Sequence, residues 1–349
     1  LLLQYLKQHF QSGQSLYLIA DDIIMANTSI YGIAEQFYAL NGRMLIIDEI
    51  HKYPNWTQEI KNLYDSFPDL FIRFSGSSML NILYEQYDLS RRAYIIQMNE
   101  LTFREFLELK HDINLPNYTL KEIVKNSIDI SNDLLMQYPF IYSEFQEYLK
   151  IGAYPFFVEN IETYREKLFN ALEKIIYEDI PGLKKIKFEN LIVFKKLIFN
   201  LIEARVPYKV NISKLARELK ITQPTLYIYL DILNQTKIFR SLKKYTKKIS
   251  RKPQKLFFHN SNILYTFSSE FNIEVNIGTV RETFFVSCFD NIFYSDIRDF
   301  QVNQYIFEIG GKNKDIKQIK DVSDSFLVVD MDIVLSENKI PLWLFGFMK

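Results

Sequence analysis

Two adjacent acidic residues, Asp48 and Glu49, are the side chains of this sequence best placed to do chemistry. They follow an unbroken apolar run at residues 44–47, which predicts a strand buried on both faces of a parallel sheet. The acids would then lie at the carboxyl end of that strand, where open α/β sheets bind ligands. There Asp48 could hold Mg²⁺ through its water shell, and Glu49 could orient and deprotonate an attacking water. The alternative is an ordinary strand followed by a polar turn.

Two further groups of polar side chains follow predicted strands later in the chain. Ser75 and Ser77 lie at the end of the strand predicted at residues 71–75, where a hydroxyl could contact a phosphate and position water; otherwise they cap the next helix. Arg91 and Arg92 follow a loop and could reach a phosphate in the same or a neighbouring subunit, although paired arginines usually lie on a solvated face. Strands predicted at residues 16–20, 44–47, 71–75 and 94–98 alternate with helices, which favours a parallel sheet.

Composition limits the remaining possibilities. The chain has 349 residues, with 42 basic and 42 acidic side chains, so a nucleic-acid surface would have to be a local patch. The single cysteine, Cys288, excludes a disulfide scaffold and a cysteine-built zinc site, and it suits a reducing cytoplasm. No apolar run reaches the roughly 18 residues of a membrane span, so we expect no membrane partner.

A helix-turn-helix followed by a two-stranded hairpin is predicted between residues 211 and 258. Asn211 or Ser213 can cap a first helix, a tight turn follows, and Thr222 can cap a second helix at residues 223–233. Two short helices joined in this way form a helix-turn-helix. Residues 238–242 and 255–258 then resemble the two strands of a wing.

The same segment carries most of the local charge. Between residues 214 and 255 there are 12 basic and 2 acidic residues, which would attract phosphates. Side chains of the second helix could reach base edges or phosphates, and the basic hairpin could contact a DNA backbone. The predicted DNA-binding residues are Gln223, Thr225, Tyr227, Lys243, Lys244, Lys247 and Lys248, with Tyr229 also expected on the exposed face. The alternative is a module that packs within the protein or contacts another protein.

Three motifs in order resemble those of a prokaryotic family of AAA-type ATPases. They are residues 45–56 (Leu-Ile-Ile-Asp-Glu-Ile-His-Lys-Tyr-Pro-Asn-Trp), 74–78 (Phe-Ser-Gly-Ser-Ser) and 89–92 (Leu-Ser-Arg-Arg). The lid signature of that family has counterparts in residues 99–106 and 148–156, and Thr102 and Glu105 independently have the spacing of a capping box. The resemblance implies an α/β protein with four parts: a P-loop NTPase-like core with a Walker B element (1–106), a helical lid (107–205), a winged helix (206–258) and a restriction-endonuclease-like domain (259–349).

The phosphate-binding loop of that family has no counterpart in this sequence. Such a loop ends in Gly-Lys-Ser/Thr, whereas the one Gly-Lys pair here, Gly311-Lys312, is followed by Asn313. In relatives the loop precedes a helix like residues 1–10, so we expect the chain to lack its first strand and phosphate loop, and as given to bind ATP poorly without hydrolysing it. With the loop present, the resemblance implies ATP and Mg²⁺ as cofactors, a conformational switch coupled to the winged helix, and self-association as an oligomer. The alternatives are a non-catalytic DNA- or protein-binding module and an ATP-regulated nuclease.

Four polar residues match the nuclease-like domain of the family: Glu282, Asp299, Glu308 and Lys312. A metal-dependent nuclease needs an Asp and a Glu-x-Lys strand whose side chains share one face. Here Glu308 and Lys312 are separated by Ile309 and two glycines, which weaken a strand, and Ile297 stands where a further acid is usual. We therefore expect a degenerate site in a structural or partner-binding domain.

Overall fold

A computed structural model describes residues 2–10, 13–76, 89, 91–182, 186, 190–204, 208–245, 252–314, 322–336 and 338–348. The chain forms two compact units, one of residues 1–98 with 177–186, and one of residues 99–176 with 187–349. The second unit contains the predicted hairpin and C-terminal segments and most of the predicted lid, whereas residues 177–186 of that lid belong to the first unit.

The first unit contains a parallel three-stranded sheet. Its strands are β1 (Ser15–Ile19), β2 (Met44–Asp48) and β3 (Phe71–Phe74), in the order β1-β2-β3. The helices between and around them are α1 (Leu2–His9), α2 (Ile30–Ala39) and α3 (Trp56–Ser66), with short 3₁₀ turns at Ile23–Asn27 and Ile50–Lys52. Parallel α/β alternation in this unit agrees with the fold class that the sequence predicts.

The central strand β2 is buried on both faces, which explains its unbroken apolar run. Leu45 and Ile47 lie in a cluster with the apolar residues of α2 and α3, whereas Met44 and Ile46 pack against Leu6 of α1. Alternate residues of a strand share a face. Asp48 therefore continues the face of Ile46, on the side of the sheet that α1 covers.

Residues 94–98 do not form the strand that their apolar sequence predicts. The segment has no regular structure, and Tyr94 and Ile96 are 83% and 74% exposed. An apolar run becomes a strand only where a neighbour accepts and donates its backbone hydrogen bonds. No described residue pairs with it as a strand.

The second unit begins with helices. They are α4 (Phe103–His111), α5 (Leu120–Gln137), α6 (Ile141–Ile151), α7 (Phe156–Glu159), α8 (Tyr164–Lys174) and α9 (Leu191–Glu203). The capping box predicted for α4 is confirmed, because Thr102 N–H donates to Glu105 at 2.8 Å and Glu105 N–H donates to the Thr102 hydroxyl at 3.2 Å. The two apolar stripes predicted around residues 120–138 belong to one helix, α5, which is kinked at Asn126.

Two helices and a three-stranded antiparallel sheet follow. The helices are α10 (Ile212–Glu218) and α11 (Gln223–Gln235), and the strands are β4 (Tyr208–Lys209), β5 (Phe239–Leu242) and β6 (Lys255–Phe258), in the order β4-β6-β5. Asn211 and Thr222 cap the two helices by accepting from the backbone N–H of Lys214 and Thr225, as their sequence positions predict. These two caps therefore fix where α10 and α11 begin.

The C-terminal part of the second unit is α/β. Helices α12 (Ser261–Glu270) and α13 (Ile277–Ser287) precede five strands in the order β11-β10-β9-β8-β7. The strands are β7 (Phe293–Tyr294), β8 (Phe300–Val302), β9 (Tyr305–Gly310), β10 (Ser325–Val329) and β11 (Lys339–Pro341). The apolar end of the chain forms a buried 3₁₀ segment, Leu342–Phe347, in which Gly346 lies so close to Phe103 that a Cβ would be 2.4 Å from that side chain. None of the described helices has the length and apolar character needed to cross a bilayer.

A single buried side chain, Asn262 of α12, joins several parts of the second unit. Its Oδ1 accepts from the backbone N–H of Ala153 at 2.9 Å and from the Tyr164 hydroxyl. Its Nδ2 donates to the carbonyls of Tyr148 and Leu149 at 2.9 and 3.1 Å. All hydrogen-bonding positions of the amide are therefore used inside the protein.

The segments 99–106 and 148–156 meet beside Asn262. The Tyr148 hydroxyl donates to the Leu101 carbonyl at 2.8 Å, and Leu101 N–H donates to the Ala153 carbonyl at 2.9 Å. A Cβ on Gly152 would lie 2.7 Å from the Tyr148 Cα, so this close approach requires glycine. The two segments singled out in the sequence are thus neighbours in one hydrogen-bonded junction.

Candidate functional site

The Asp48 carboxylate is the centre of a hydrogen-bonded group at the carboxyl end of the first sheet. Its Oδ2 accepts from the Tyr17 hydroxyl of β1 at 2.5 Å. Its Oδ1 accepts from the hydroxyl of Ser75, which directly follows β3, and from Glu49 N–H at 3.0 Å. Donors from both neighbouring strands therefore hold this carboxylate.

These bonds favour the ionised form of Asp48. Burial alone would raise its pKa, but the hydroxyls of Ser75 and Tyr17 and the Glu49 N–H outweigh burial, so the pKa of Asp48 is lowered. The hydrogen bond to Asp48, together with burial, raises the pKa of Tyr17 to about 12. At neutral pH the site therefore presents a carboxylate and a hydroxyl that donates to it.

Glu49 lies in a constrained turn directly after Asp48. Its backbone is left-handed, with φ 52° and ψ 37°, a conformation that costs a non-glycine residue roughly 1–2 kcal/mol. Ile50 N–H donates to the Ser75 carbonyl at 2.9 Å, which ties the turn to β3. The Glu49 carboxylate lies 3.4 Å from Nδ1 of His51, whose side chain is only 2% exposed. A strained turn thus holds a second, partly exposed carboxylate beside the first.

The arginines predicted to reach this site are placed differently from each other. Arg91 is exposed, whereas Arg92 donates from Nε and Nη2 to the two carboxylate oxygens of Asp65 at 2.9 and 3.0 Å. Helix α3 starts beside the carboxyl end of β3, where Trp56 packs on Phe74, and Asp65 lies near its other end, about 13 Å away along the axis. Arg92 thus pairs with Asp65 in this chain, its predicted contact with a phosphate stays a prediction, and Ser77 lies outside the described residues.

The donors present fit a hydrated Mg²⁺ ion held by one protein carboxylate. Magnesium keeps several waters and commonly uses one or two carboxylates together with substrate phosphates. Asp48 supplies a hard oxygen, and Ser75 and Glu49 are polar neighbours. Within the described ranges no group of three or more His, Cys, Asp or Glu side chains is arranged to hold a metal by itself, which a water- and phosphate-rich magnesium site does not require.

Comparison with known proteins supports the interpretation of the first sheet as part of an AAA-type domain. Residues 1–107 match the model of a family described as an AAA domain. We call this region the AAA-like part. Residues 142–273 match the model of a domain of unknown function, DUF8612. An AAA-type domain supports nucleotide and Mg²⁺ use at a coarse level.

Two relatives come from the archaeon Methanocaldococcus jannaschii. The uncharacterized protein MJ1637 is 32% identical over 247 residues, which cover 68% of this chain and 50% of MJ1637. The uncharacterized protein MJ1544 is 26% identical over 341 residues, which cover 91% of this chain and 70% of MJ1544. The chain thus spans half the length of MJ1637. No solved structure matches it.

Helix α11, the second helix of the predicted helix-turn-helix, exposes fewer of the predicted DNA-binding side chains than expected. Gln223 is exposed and donates to the Ser213 hydroxyl at 3.3 Å, while the Thr225 hydroxyl bonds that of Thr222 at 2.8 Å. Tyr227 is half-buried. Tyr229 is buried against Phe194, with ring centroids 4.9 Å apart, so its expected exposure is wrong. Helical periodicity alone did not show that α9 covers this side of α11.

Several cations of the predicted DNA-binding patch have partners within the second unit. Lys244, one of the predicted DNA-binding residues, forms an ion pair with Asp296. Three others that were counted in the patch are also engaged: Lys237 with Glu100 at 3.8 Å, Arg240 with the Asp290 carbonyl at 3.1 Å, and Lys255 with Glu282 at 3.4 Å. Lys243 is exposed, and Lys247 and Lys248 lie outside the described residues. Four of the described cations counted in the patch thus have partners within the second unit.

The structure brings together three of the four predicted nuclease-like residues. Lys255 lies 3.4 Å from Glu282 and 4.0 Å from Asp299, and Ile309 N–H donates to Asp299 at 2.9 Å. Glu308 is paired with Lys314 at 2.7 Å. These five charged side chains, Glu282, Asp299, Glu308, Lys255 and Lys314, form what we call the C-terminal charge cluster.

Lys312 is exposed and does not belong to this cluster. Strand β9 ends at Gly310, so the strand spacing used to place Lys312 does not extend to it. The chain turns at residues 311–314, and a Cβ on Gly310 would lie 2.6 Å from the Lys314 Cβ. The glycine thus leaves room for Lys314 to fold back onto Glu308.

Four contributors to these sites were missed from the sequence: Tyr17, His51 as a contact of Glu49, Lys255 and Lys314. Strand alternation in the sequence does not reveal that Tyr17 contacts Asp48. That contact depends on the register of β1 against β2, which is set by the tertiary structure. Lys255 was visible only as one basic residue among many, because its burial depends on the distant acids it meets.

The C-terminal charge cluster predicts a pH dependence of stability. Burial, opposed by Lys255, raises the pKa of Glu282 to about 7 from 4.5. An acid whose pKa is higher in the folded than in the unfolded protein stabilises the fold fully at pH values below its unfolded pKa. For Glu282 this contribution is roughly 3 kcal/mol at most, and it is lost as the pH rises through about 7. We expect Glu282→Gln to flatten the fall in stability between about pH 5 and pH 8. The measurement is urea unfolding followed by Trp343 fluorescence in a Trp56→Phe background.

The matched control is Glu270→Gln, which changes an exposed glutamate of the same unit. Parallel pH profiles for the Glu282→Gln variant and its parent would contradict this assignment. A flattened profile in the Glu270→Gln protein as well would show that the effect is not specific to the cluster.

Proposed function

We propose that the AAA-like part binds Mg²⁺-ATP and hydrolyses it in the protein made from the complete gene. The observation that carries the proposal is the Asp48 carboxylate, held by Tyr17 and Ser75 at the carboxyl end of a parallel sheet and followed at once by Glu49. The match of residues 1–107 to an AAA domain supports it. This chain spans half the length of MJ1637, so the activity of the whole protein is part of the proposal.

The residues have distinct roles in this proposal. Asp48 accepts hydrogen bonds from waters around the ion, and its lowered pKa keeps it charged for that role. Glu49 orients a water near the terminal phosphate and accepts its proton as the water oxygen bonds to phosphorus, while the bond from phosphorus to the bridging oxygen breaks and ADP leaves. Ser75, already bonded to Asp48, couples the carboxylate to the end of β3. The bound Mg²⁺ supplies charge neutralisation for the phosphate oxygens.

We also propose that nucleotide turnover changes the conformation of the second unit. The chain enters that unit at residue 99, and Glu100 lies 3.3 Å from His259 and 3.8 Å from Lys237. Burial would raise the pKa of Glu100, but His259 and Lys237 outweigh it and lower the pKa to about 2. Contacts of Glu100 with Lys237 and His259 thus tie the entering segment to the end of α11 and to the start of α12, so a pull on it would be transmitted to both.

The direct test is ATP hydrolysis by the protein from the complete gene and by its Asp48→Asn variant. We expect Mg²⁺-dependent hydrolysis that falls at least about tenfold in the variant, because the amide accepts fewer hydrogen bonds from metal-bound waters and carries no charge. Asp69→Asn, an exposed residue just before β3, is the matched control and should hydrolyse ATP at the parent rate. No hydrolysis by the parent protein, or equal rates in the parent and Asp48→Asn, would reject the proposal.

A further inference from the structure

We propose that Tyr17 is a positioning residue that aims the Asp48 carboxylate at the hydrated metal. This inference rests on the proposed function, because it concerns the same metal site. Tyr17 lies on β1 opposite Ile46, and strand alternation puts it on the face of β2 that Asp48 also occupies. Its hydroxyl spans the gap between the strands and donates to Oδ2 of Asp48 at 2.5 Å.

The hydrogen bonds of Asp48 define the role of Tyr17. Each carboxylate oxygen can accept about two hydrogen bonds. Within the described residues, Oδ1 accepts from the Ser75 hydroxyl and from Glu49 N–H, so its capacity is used. Among those residues Oδ2 accepts from Tyr17 alone, so one acceptor position of Oδ2 remains. A metal-bound water can therefore donate only to Oδ2, and the Tyr17 hydroxyl sets the direction in which that position points.

The hydroxyl of Tyr17 can be removed without disturbing the packing of its ring. The ring packs with the apolar cluster of Leu6, Met44 and Ile46, whereas the hydroxyl bonds Asp48. Phenylalanine keeps the ring and loses only the donor. In the variant Ser75 and Glu49 N–H still hold Oδ1, so the carboxylate remains in place while Oδ2 loses its fixed orientation.

The test is metal affinity measured without turnover. Mn²⁺ is titrated by electron paramagnetic resonance into the protein from the complete gene with saturating ADP, for the parent, Tyr17→Phe and Tyr31→Phe. Tyr31→Phe is the matched control, since it removes the hydroxyl of another tyrosine in the same unit, which bonds Ser66 at 3.3 Å. We expect the metal dissociation constant to rise about tenfold in Tyr17→Phe and to stay at the parent value in Tyr31→Phe.

Steady-state kinetics separate this role from a structural one. In Tyr17→Phe the Mg²⁺ concentration for half-maximal hydrolysis should rise with the dissociation constant, while kcat at saturating Mg²⁺ changes little. An unchanged metal dissociation constant in Tyr17→Phe, with an active parent, would overturn this inference and leave the proposed function standing. A parent that binds no metal with ADP would overturn both. Should Tyr17→Phe not fold, Tyr17→Leu, which also lacks the hydroxyl, serves the same comparison.

Discussion

Replacing Glu49 with glutamine in the protein from the complete gene is expected to lower kcat for ATP hydrolysis by about 10²–10⁴-fold. Glutamine has nearly the same shape and size, but its amide cannot accept the proton of the attacking water. Asp48 and its three donors are unchanged, so the affinity for Mg²⁺-ATP should stay near that of the parent. Single-turnover hydrolysis and equilibrium nucleotide binding together measure the two effects.

The control for this variant is Glu35→Gln, a change to an exposed glutamate of α2. It should leave both quantities unchanged. An undiminished kcat in Glu49→Gln would show that another group activates the water. Loss of nucleotide binding together with turnover would show instead that Glu49 acts in binding.

Replacing Asn262 with alanine is expected to destabilise the second unit by about 4 kcal/mol. The substitution leaves the Ala153 N–H, the Tyr164 hydroxyl and the carbonyls of Tyr148 and Leu149 without this partner. Because Asn262 is fully buried, water does not replace the lost hydrogen bonds without opening the junction. Urea unfolding followed by Trp343 fluorescence in the Trp56→Phe background measures the change.

Asn276→Ala is the matched control, because Asn276 caps α13 through one bond to Thr279 N–H at 3.1 Å. Loss of such a cap costs about 1 kcal/mol. We therefore expect a clearly larger loss of stability in Asn262→Ala than in Asn276→Ala. Equal losses would mean that the buried amide contributes no more than an exposed cap.

The sequence was most informative where local pattern and burial agree. The apolar run before Asp48 predicted β2, since a central parallel strand needs apolar residues on both faces. The sequence also predicted the capping box at Thr102 and Glu105 and the caps of α10 and α11. In each of these caps the two hydrogen-bonding partners lie within a few residues of each other.

Predictions from the sequence were wrong where contacts with distant segments determine the local structure or the exposure of a side chain. Residues 94–98 have the composition of a strand, yet a strand exists only with a paired neighbour. Tyr229 and Lys255 were read as surface residues, but Phe194 covers the first and Glu282 with Asp299 surrounds the second. Lys314 replaces Lys312 in the C-terminal charge cluster because β9 ends early and the chain turns back.

In the candidate site, too, features encoded locally were predictable and features set by distant contacts were not. Asp48 and Glu49 were identifiable because they follow a recognisable strand, and Ser75 because it follows another. Their hydrogen bonding to one another required the register of three strands, which also revealed Tyr17. The position of Arg92 depended on a pairing with Asp65 that nothing in the local sequence indicates.

The most direct test of the central claim is the position of the metal in a crystal of the protein from the complete gene, grown with Mn²⁺ and a non-hydrolysable ATP analogue. We predict an anomalous Mn²⁺ peak about 4 Å from the Asp48 carboxylate, at the distance of one bridging water, with the terminal phosphate on the Glu49 side. Nucleotide and metal bound elsewhere, with Asp48 and Glu49 contacting only protein, would contradict the assignment of this acidic pair to ATP hydrolysis.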